Sequence, residues 1–288
     1  MQVQLGLSLL PRDKTSLYWL LNRCHRSPQM KPYSILVMAV LALAVVANAS
    51  AQNLYQRPLQ KLVDCPTAGG PENRSLDVEL RAYPEGGLLA GVSVGILSRI
   101  TMGISHGGSG IIGFGAPDWN PQMGVLTSLR VFNESLTWPA LAVGFASQGY
   151  GLWVGSLDRY QFKAKGIYAV ASKNFAWELL GETGFHMGVN QNPMEGDRNK
   201  LDLFIATDFR PSELVAVIAE YSAALDDWRG DAVAGEGRGY LNAGIRVTLG
   251  ERLAVDLNLR DLLNNQQNAL RGGQQIGREI RISYEEAF

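Results

Sequence analysis

Twelve runs in which apolar and polar residues alternate, all between residue 75 and the C-terminus, most constrain what this chain can fold into. In the run "SLDVELRAY", Leu76, Val78 and Leu80 share one face, and Asp77 and Glu79 share the other. A two-residue period is the pattern of a β-strand with one apolar and one polar face. Strands are therefore predicted near 75–83, 88–97, 99–106, 123–133, 139–148, 162–173, 177–189, 201–209, 213–224, 238–249, 252–261 and 278–288.

The lengths of the runs and of their connections favour one architecture. Most runs hold nine to thirteen residues, whereas strands of globular proteins hold about five or six and about ten tilted residues cross an outer membrane. Short connections alternate with long ones, and only the hairpin at 84–87 is short where a long loop is expected. We therefore predict an all-β fold over residues 75–288: a closed antiparallel transmembrane β-barrel of about 12 strands, with short periplasmic turns and long extracellular loops.

Composition agrees with a sheet and excludes several classes of function. Glycine supplies 32 of the 288 residues, which suits a tightly curved sheet with many turns and weighs against long helices. The net charge of -1 is too balanced for a nucleic-acid partner. Cys24 and Cys65 form neither a disulfide framework nor a metal-ligand spacing. We expect no nucleic acid, no metal and no cofactor.

An apolar run at residues 35–47 indicates an export signal. Lys31 precedes the run, and the tripeptide Ala-Ser-Ala that ends at Ala51 follows it. A basic start, an apolar centre and a small-x-small end are the parts of a secretory signal peptide, and so short an apolar run cannot span a bilayer as a helix. We predict that residues 30–51 are the signal peptide and that cleavage falls after Ala51.

The signal peptide divides the rest of the N-terminal region. Met30 would start a complete signal by itself, so residues 1–29 are predicted to be an upstream extension from a mis-assigned start codon. Residues 52–74 end in the turn-rich stretch "PTAGGPEN" and are predicted to form a periplasmic linker. Sequence alone leaves open whether these residues plug the barrel or hang free.

The polar face of the strands predicts the lining of the lumen, because the apolar face must meet lipid. Signs are mixed along this face, whereas a selective pore would carry one dominant sign. Mixed charges at this density can cross-link into ion pairs and leave a narrow or blocked lumen. The predicted lumen-lining residues are Arg81, Arg130, Lys163, Lys165, Glu182, Asp202, Glu220, Arg246, Asp256, Arg260, Glu279 and Arg281.

The chain ends on an alternating run, "REIRISYEEAF", whose last residue is aromatic. Ile280, Ile282, Tyr284 and Phe288 share its apolar face, and Glu286 falls on that face where an apolar residue is expected. Tyr284 and Phe288 are predicted to form the assembly signal that barrel-assembly machinery reads. A closed barrel requires this last run to pair with "SLDVELRAY", and it requires outer-membrane lipid around the apolar face.

One alternative is a barrel enzyme of lipase or protease type with its site at the extracellular rim. His106 and Ser109 lie in "SHGGSG" at the outer end of the third run, and a Ser/His pair there would be a nucleophile and base. No G-x-S-x-G elbow stands in a strand–helix context. The leading hypothesis is therefore a protein without enzymatic activity.

Several segments resemble a known family: "LRAYPEGGLLAGVSVGILSRITMGIS", "GSGIIGFGAPDWNPQ", "DRYQFKAKGIYAVASKN" and "GREIRISYEEAF". Together they resemble bacterial outer-membrane barrels of the YjbH-like type, which are associated with exopolysaccharide production, and the resemblance spans roughly residues 75–288. It implies an outer-membrane location and a conduit or surface component that serves polysaccharide export. It carries over no active-site residues.

Overall fold

The computed structural model describes residues 59–177, 180–195, 200–227, 235–250, 252–266 and 276–288. The predicted upstream extension at 1–29 and the predicted signal peptide at 30–51 lie outside the described residues. Within the described ranges, no helix is long and apolar enough to cross a bilayer.

Strands make up almost all of the regular structure in the described residues. In chain order they are β1 (Ser75–Tyr83), β2 (Gly87–Ile96), β3 (Ile100–Ser109), β4 (Asp118–Trp119), β5 (Gly124–Phe132), β6 (Ala140–Ala146), β7 (Tyr150–Val154), β8 (Arg159–Phe162), β9 (Gly166–Trp177), β10 (Gly181–Gln191), β11 (Asp202–Ser212), β12 (Val215–Ser222), β13 (Tyr240–Leu249), β14 (Leu253–Arg260) and β15 (Gly277–Ala287).

The main sheet closes on itself. β1 pairs antiparallel with both β2 and β15, and β2 also pairs with β3, so the ring has no open edge once the two-residue β4 is set aside. The predicted closed antiparallel barrel of twelve strands is confirmed. The predicted closing pair is confirmed as well, with a register that runs from Ser75 opposite Ala287 to Ala82 opposite Ile280. β7 and β8 form a separate hairpin in the connection from β6 to β9.

The bounds of the predicted run near 162–173 were wrong. The alternation near 162–173 joins two elements, because Phe162 ends β8 and the barrel strand β9 starts only at Gly166. Gly166 has a φ of 64°, in the left-handed region that interrupts an extended chain. Lys163 and Lys165 therefore lie in the segment between the two strands and not on a strand of the wall.

The alternation sorts the side chains between two faces. Along β1, Val78 and Leu80 point outward and are exposed, whereas Arg81 points inward and is fully buried. The outward carboxylate of Glu286 is paired, since Arg252 donates to it and the Tyr284 hydroxyl also donates to it. This pairing explains how a charged residue stands on an otherwise apolar face.

Residues 59–70 fold as a short hairpin inside the barrel, and we name them the plug hairpin. The Leu62 N–H donates to the Cys65 carbonyl (3.1 Å) and the Thr67 N–H donates to the Gln60 carbonyl (3.2 Å). Leu62, Val63 and Cys65 at the tip are buried, whereas Asp64 is half-buried. The sequence left open whether this region plugs the barrel or hangs free. Residues 59–70 occupy the lumen and therefore form a plug.

The plug hairpin is inserted from the short-turn end of the barrel. Gly70, its last residue, lies against the Arg130 side chain and the Ser98 carbonyl in the turn between β2 and β3. The Thr67 hydroxyl donates to the Leu59 carbonyl, so the first residue of the hairpin lies at that same end. The tip reaches toward the long-loop ends of β1 and β14.

Candidate functional site

The two halves of the barrel wall present different inner surfaces. Strands β2, β3, β5 and β6, all of them described, turn mainly glycine, alanine and serine inward, and Arg130 is the one charged residue among those inward positions. Strands β10 to β15 and β1 turn large charged and amide side chains inward. The lumen is therefore roomy along one half of the wall and crowded along the other.

Ion pairs cross-link the crowded half. Arg81 Nε lies 2.6 Å from Glu279 Oε1, and Arg260 Nη1 lies 3.2 Å from Glu279 Oε2. Arg246 Nε lies 2.7 Å from Asp256 Oδ1. Because these groups are buried, each pair offsets a desolvation cost that an unpaired charge would leave standing.

Three wall arginines hold the plug hairpin by its backbone. Arg246 donates to the Lys61 carbonyl (3.0 Å). Arg281 donates to the carbonyls of Leu62 (2.6 Å) and Val63 (3.2 Å), and Arg81 also donates to the Val63 carbonyl (3.1 Å). These contacts depend on the path of the chain and not on the side chains of the tip.

Two further wall groups accept hydrogen bonds from the plug hairpin. The carboxylate of Glu220 accepts from the N–H groups of Asp64 (2.9 and 3.0 Å) and Cys65 (2.8 Å). The Ser172 hydroxyl accepts from the Ala68 N–H (2.8 Å). The tip is thus bound through its carbonyls on one side and its amides on the other.

The side chain of Asp64 lies between two wall arginines. Arg81 Nη2 donates to Asp64 Oδ1 (2.9 Å), and Arg260 Nη2 donates to Asp64 Oδ2. Burial raises the pKa of Asp64, but the charges of Arg260 and Arg81 outweigh it and hold that pKa well below its usual value. The carboxylate is therefore ionised at neutral pH and bridges the plug hairpin to β1 and β14.

Ser172, His186 and Asp208 form a hydrogen-bonded chain on the inner faces of β9, β10 and β11. His186 Nδ1 lies 2.8 Å from Ser172 Oγ, and His186 Nε2 lies 2.8 Å from Asp208 Oδ1. The residue types are those of a hydrolase triad. Here the serine hydroxyl is buried beneath Ala68 of the plug hairpin, so the chain anchors the plug hairpin and is closed to a substrate.

A cavity of about 630 Å³ runs beside the plug hairpin. Its lining includes Asp227 and Tyr240 at the long-loop end, and Gly250 and Glu285 at the short-turn end. Between those ends it follows the small inward residues of β2, β3 and β5 on one side and the plug hairpin on the other. The volume is that of a small-molecule site, for which about 300–1,000 Å³ is typical.

The structure brings together seven of the twelve residues predicted to line the lumen. Those that surround the tip of the plug hairpin, directly or through one ion pair, are Arg81, Glu220, Arg246, Asp256, Arg260, Glu279 and Arg281. The sequence placed them on one face, whereas their shared contact with the plug hairpin comes from the structure.

The remaining predicted lumen residues lie apart from that group. Glu182 and Arg210 pair with each other (3.2 Å) toward the short-turn end. Lys163 pairs with Asp226 (2.5 Å), and Lys165 donates to Ser222 (3.2 Å), which in turn donates to Asp202. Arg130 donates to the Ser98 carbonyl (2.5 Å) in a turn.

The Ser/His pair of the enzyme alternative is not formed. His106 points outward and stacks on Trp119, with ring centroids 5.8 Å apart and planes 2° apart, while Ser109 points inward and is buried. Three residues along a strand place two side chains on opposite faces. That pairing was wrong. Among the described side chains, no three His, Cys, Asp or Glu groups gather as metal ligands would.

Solved structures that resemble this chain are outer-membrane barrels. The KdgM porin aligns with a TM-score of 0.42 at 9% identity over 73% of this chain and 98% of its own. The NanC porin aligns at 0.40 and 8% identity over 74% and 99%. The outer membrane protein Omp33 of Acinetobacter baumannii aligns at 0.38 and 9% identity over 75% and 98%.

No family model matches this chain, and no curated protein matches it by sequence. The YjbH-like resemblance therefore stays a prediction.

Proposed function

We propose that this protein is a non-enzymatic outer-membrane barrel that passes small solutes through a narrow lumen. Its location is supported by the outer face, on which exposed leucine, valine and isoleucine side chains such as Leu80, Leu203 and Ile282 recur from strand to strand. A soluble protein rarely exposes so large a connected apolar surface. Lipid covers such a surface, and closure leaves no unpaired strand edge in the bilayer.

The observation that carries the conduit is the cavity beside the plug hairpin. It reaches both ends of the barrel, and its roomy side is the small-residue half of the wall. Its volume fits a single small solute or one unit of a longer chain at a time. With the plug hairpin seated, the protein is therefore a restricted conduit and not a wide pore.

We further propose that the solute is linked to exopolysaccharide. The support is the resemblance of residues 75–288 to the YjbH-like barrels. An extended saccharide chain would pass beside the seated plug hairpin, or would enter the lumen after the plug hairpin is displaced.

For barrel assembly, the exposed side chains of Tyr284 on the closing strand and of Phe288 directly after it are available to barrel-assembly machinery.

Conductance across a planar bilayer tests the conduit. Ser93 lines the cavity, so Ser93→Phe should lower the single-channel conductance severalfold. Ala90 points outward on the same strand, is exposed and does not line the cavity, so Ala90→Phe is the matched control and should leave the conductance unchanged. Deletion of residues 52–70 should raise it severalfold.

Two results would contradict this function. One is the absence of current in repeated insertions of the folded protein, with and without residues 52–70, which would favour an adhesive or structural role. The other is equal conductance for Ser93→Phe and Ala90→Phe. Folding is checked in each sample by the change of gel migration on boiling.

A further inference from the structure

The two arginines that hold Asp64 form a carboxylate site that is also covered by aromatic rings. The Tyr150 ring lies 3.9 Å from the Arg81 guanidinium carbon and 4.8 Å from that of Arg260. The Phe162 ring lies 4.5 Å from the Arg260 guanidinium carbon. Tyr150 and Phe162 face each other across the β7–β8 hairpin, so a long-loop element supplies both rings.

We propose that this site binds the carboxylate of an acidic sugar, and that Asp64 occupies it as a built-in substitute. The proposal rests on the proposed function and names the solute class of the same lumen. Two guanidiniums that each donate to a different oxygen of one carboxylate make charge-assisted hydrogen bonds, which are roughly twice as strong as neutral ones. The adjoining rings offer flat apolar surface to one face of a pyranose.

The charges around the pair explain why an anion is required. Glu279 is shared by Arg81 and Arg260, so one carboxylate serves two buried cations. Asp64 supplies the second negative charge. A buried cation left without its partner is strongly unfavourable, so a vacated site favours a new carboxylate over a neutral group.

The site is reachable from the conduit. Asp64, Tyr150 and Phe162 all line the 630 Å³ cavity, so a solute that moves along it meets the carboxylate of Asp64 at the rim of the site. Glu79 lines the same cavity and now pairs with Lys61 of the plug hairpin (3.4 Å). When the plug hairpin moves, Glu79 becomes an acceptor for sugar hydroxyls beside the arginine pair.

Competition within the chain sets the expected affinity. A tethered carboxylate acts at an effective concentration in the millimolar range or above, so a free acid binds the intact protein weakly. Removing Asp64 removes this competitor while both arginines and both rings stay in place. A solute carboxylate and the Asp64 carboxylate therefore exclude each other from the site.

Calorimetric titration of the detergent-solubilised protein with glucuronate and with glucose tests the site. Asp64→Ala should bind glucuronate at least tenfold more tightly than the intact protein, and glucose should bind neither. Adding Arg260→Gln to Asp64→Ala should abolish the gain. Deletion of residues 52–70 provides a second route to the vacated site and should give the same preference for glucuronate.

The outcomes separate this proposal from the conduit. Binding of glucose as tight as that of glucuronate, or no gain in both Asp64→Ala and the deletion, overturns the acidic-sugar site even if the barrel conducts. Retention of the gain in the Arg260→Gln double variant also overturns it. A gain of glucuronate binding in a protein that passes no current supports the site and refutes the conduit.

Discussion

Glu220→Gln should release the tip of the plug hairpin while it leaves the barrel closed. Both oxygens of the Glu220 carboxylate are used, because Oε2 accepts from the N–H groups of Asp64 and Cys65 and Oε1 also accepts from Asn242 Nδ2 (2.8 Å). A glutamine places an NH2 group where one of these oxygens stood. That group faces N–H donors and cannot accept from them.

The magnitude follows from the hydrogen bonds that the substitution breaks. A buried donor left without its acceptor costs about 1–3 kcal/mol, and the remaining bonds lose the strengthening that a charged acceptor gives. We therefore expect the seated plug hairpin to be destabilised by about 2–4 kcal/mol. At about 1.4 kcal/mol per factor of ten, the displaced population rises by roughly 30- to 700-fold.

Cys65 reports that population directly. Its thiol is free and buried at the tip, and burial together with the nearby Glu220 carboxylate raises its pKa well above the ordinary value. Thiolate is the reactive form, so the seated thiol is inert. The rate of maleimide labelling in a Cys24→Ser background then follows the displaced fraction when reseating is fast.

The matched control is Glu182→Gln. Glu182 is also a buried, inward carboxylate, and it pairs with Arg210 toward the short-turn end. This change should lower the stability of the barrel and leave the labelling of Cys65 within about twofold of the parent protein. The reasoning is refuted if Glu220→Gln labels at the parent rate, or if both variants accelerate labelling alike.

Three further predictions concern the belt of outward, lipid-facing apolar residues, the lumen and pH. Ile282→Arg, in the middle of the closing strand, should destabilise the barrel in vesicles by about 2–4 kcal/mol and Leu76→Arg, near a strand end, by about 0–1 kcal/mol; equal shifts in equilibrium unfolding would argue against a lipid-facing belt. His186→Ala should cost about 1–3 kcal/mol, because Ser172 Oγ and Asp208 Oδ1 each lose one buried hydrogen-bond partner, and an unchanged urea midpoint would contradict this. Burial alone would raise the pKa of Asp64, but the two arginines lower it by more, so the pKa in the folded protein lies below the usual value. The stability that the ionised carboxylate contributes is therefore complete above about pH 3.8. That contribution is lost only as pH falls through the lowered value, and labelling of Cys65, normalised to an unstructured thiol, should not rise between pH 7 and pH 5.

The barrel could be predicted because its pattern is local. Each strand buries one face in protein and offers the other to lipid, so the two-residue period is written into every run, and β1 matches its predicted bounds at Ser75 and Tyr83. Closure then forces the first and last strands together. Alternation could not separate β8 from β9, since a hairpin in a loop and a wall strand share the same period.

The contacts of the lumen could not be predicted because they depend on register. His186 lies directly opposite Ser172, a pairing centred on residue 179, whereas the sequence placed the turn at 174–176. An error of that size moves each inward side chain to a different partner. With the turn at its true position, the strand pairing brings Ser172, His186 and the polar residues of the next strand side by side across the wall.

The plug hairpin carries no sequence pattern of its own. Residues 59–70 show no sustained alternation, and their partners lie far along the chain: 155 residues separate Cys65 from Glu220, and 104 separate Ala68 from Ser172. The sequence of the wall carried part of a signal for the plug hairpin, because many of the inward residues are arginines and carboxylates. In a barrel of this size, these side chains need hydrogen-bond partners other than each other.

The same requirement links the plug hairpin to the proposed transport. Arg81, Arg246 and Arg281 direct their donors to carbonyls of the plug hairpin, so its withdrawal leaves these buried donors without acceptors unless water or a solute replaces them. A saccharide, rich in hydroxyl and ring oxygens, can replace backbone carbonyls, and an acidic one can also replace Asp64. An apolar solute can do neither, so under the proposed function the groups that hold the plug hairpin in the lumen would also select the solute that displaces it.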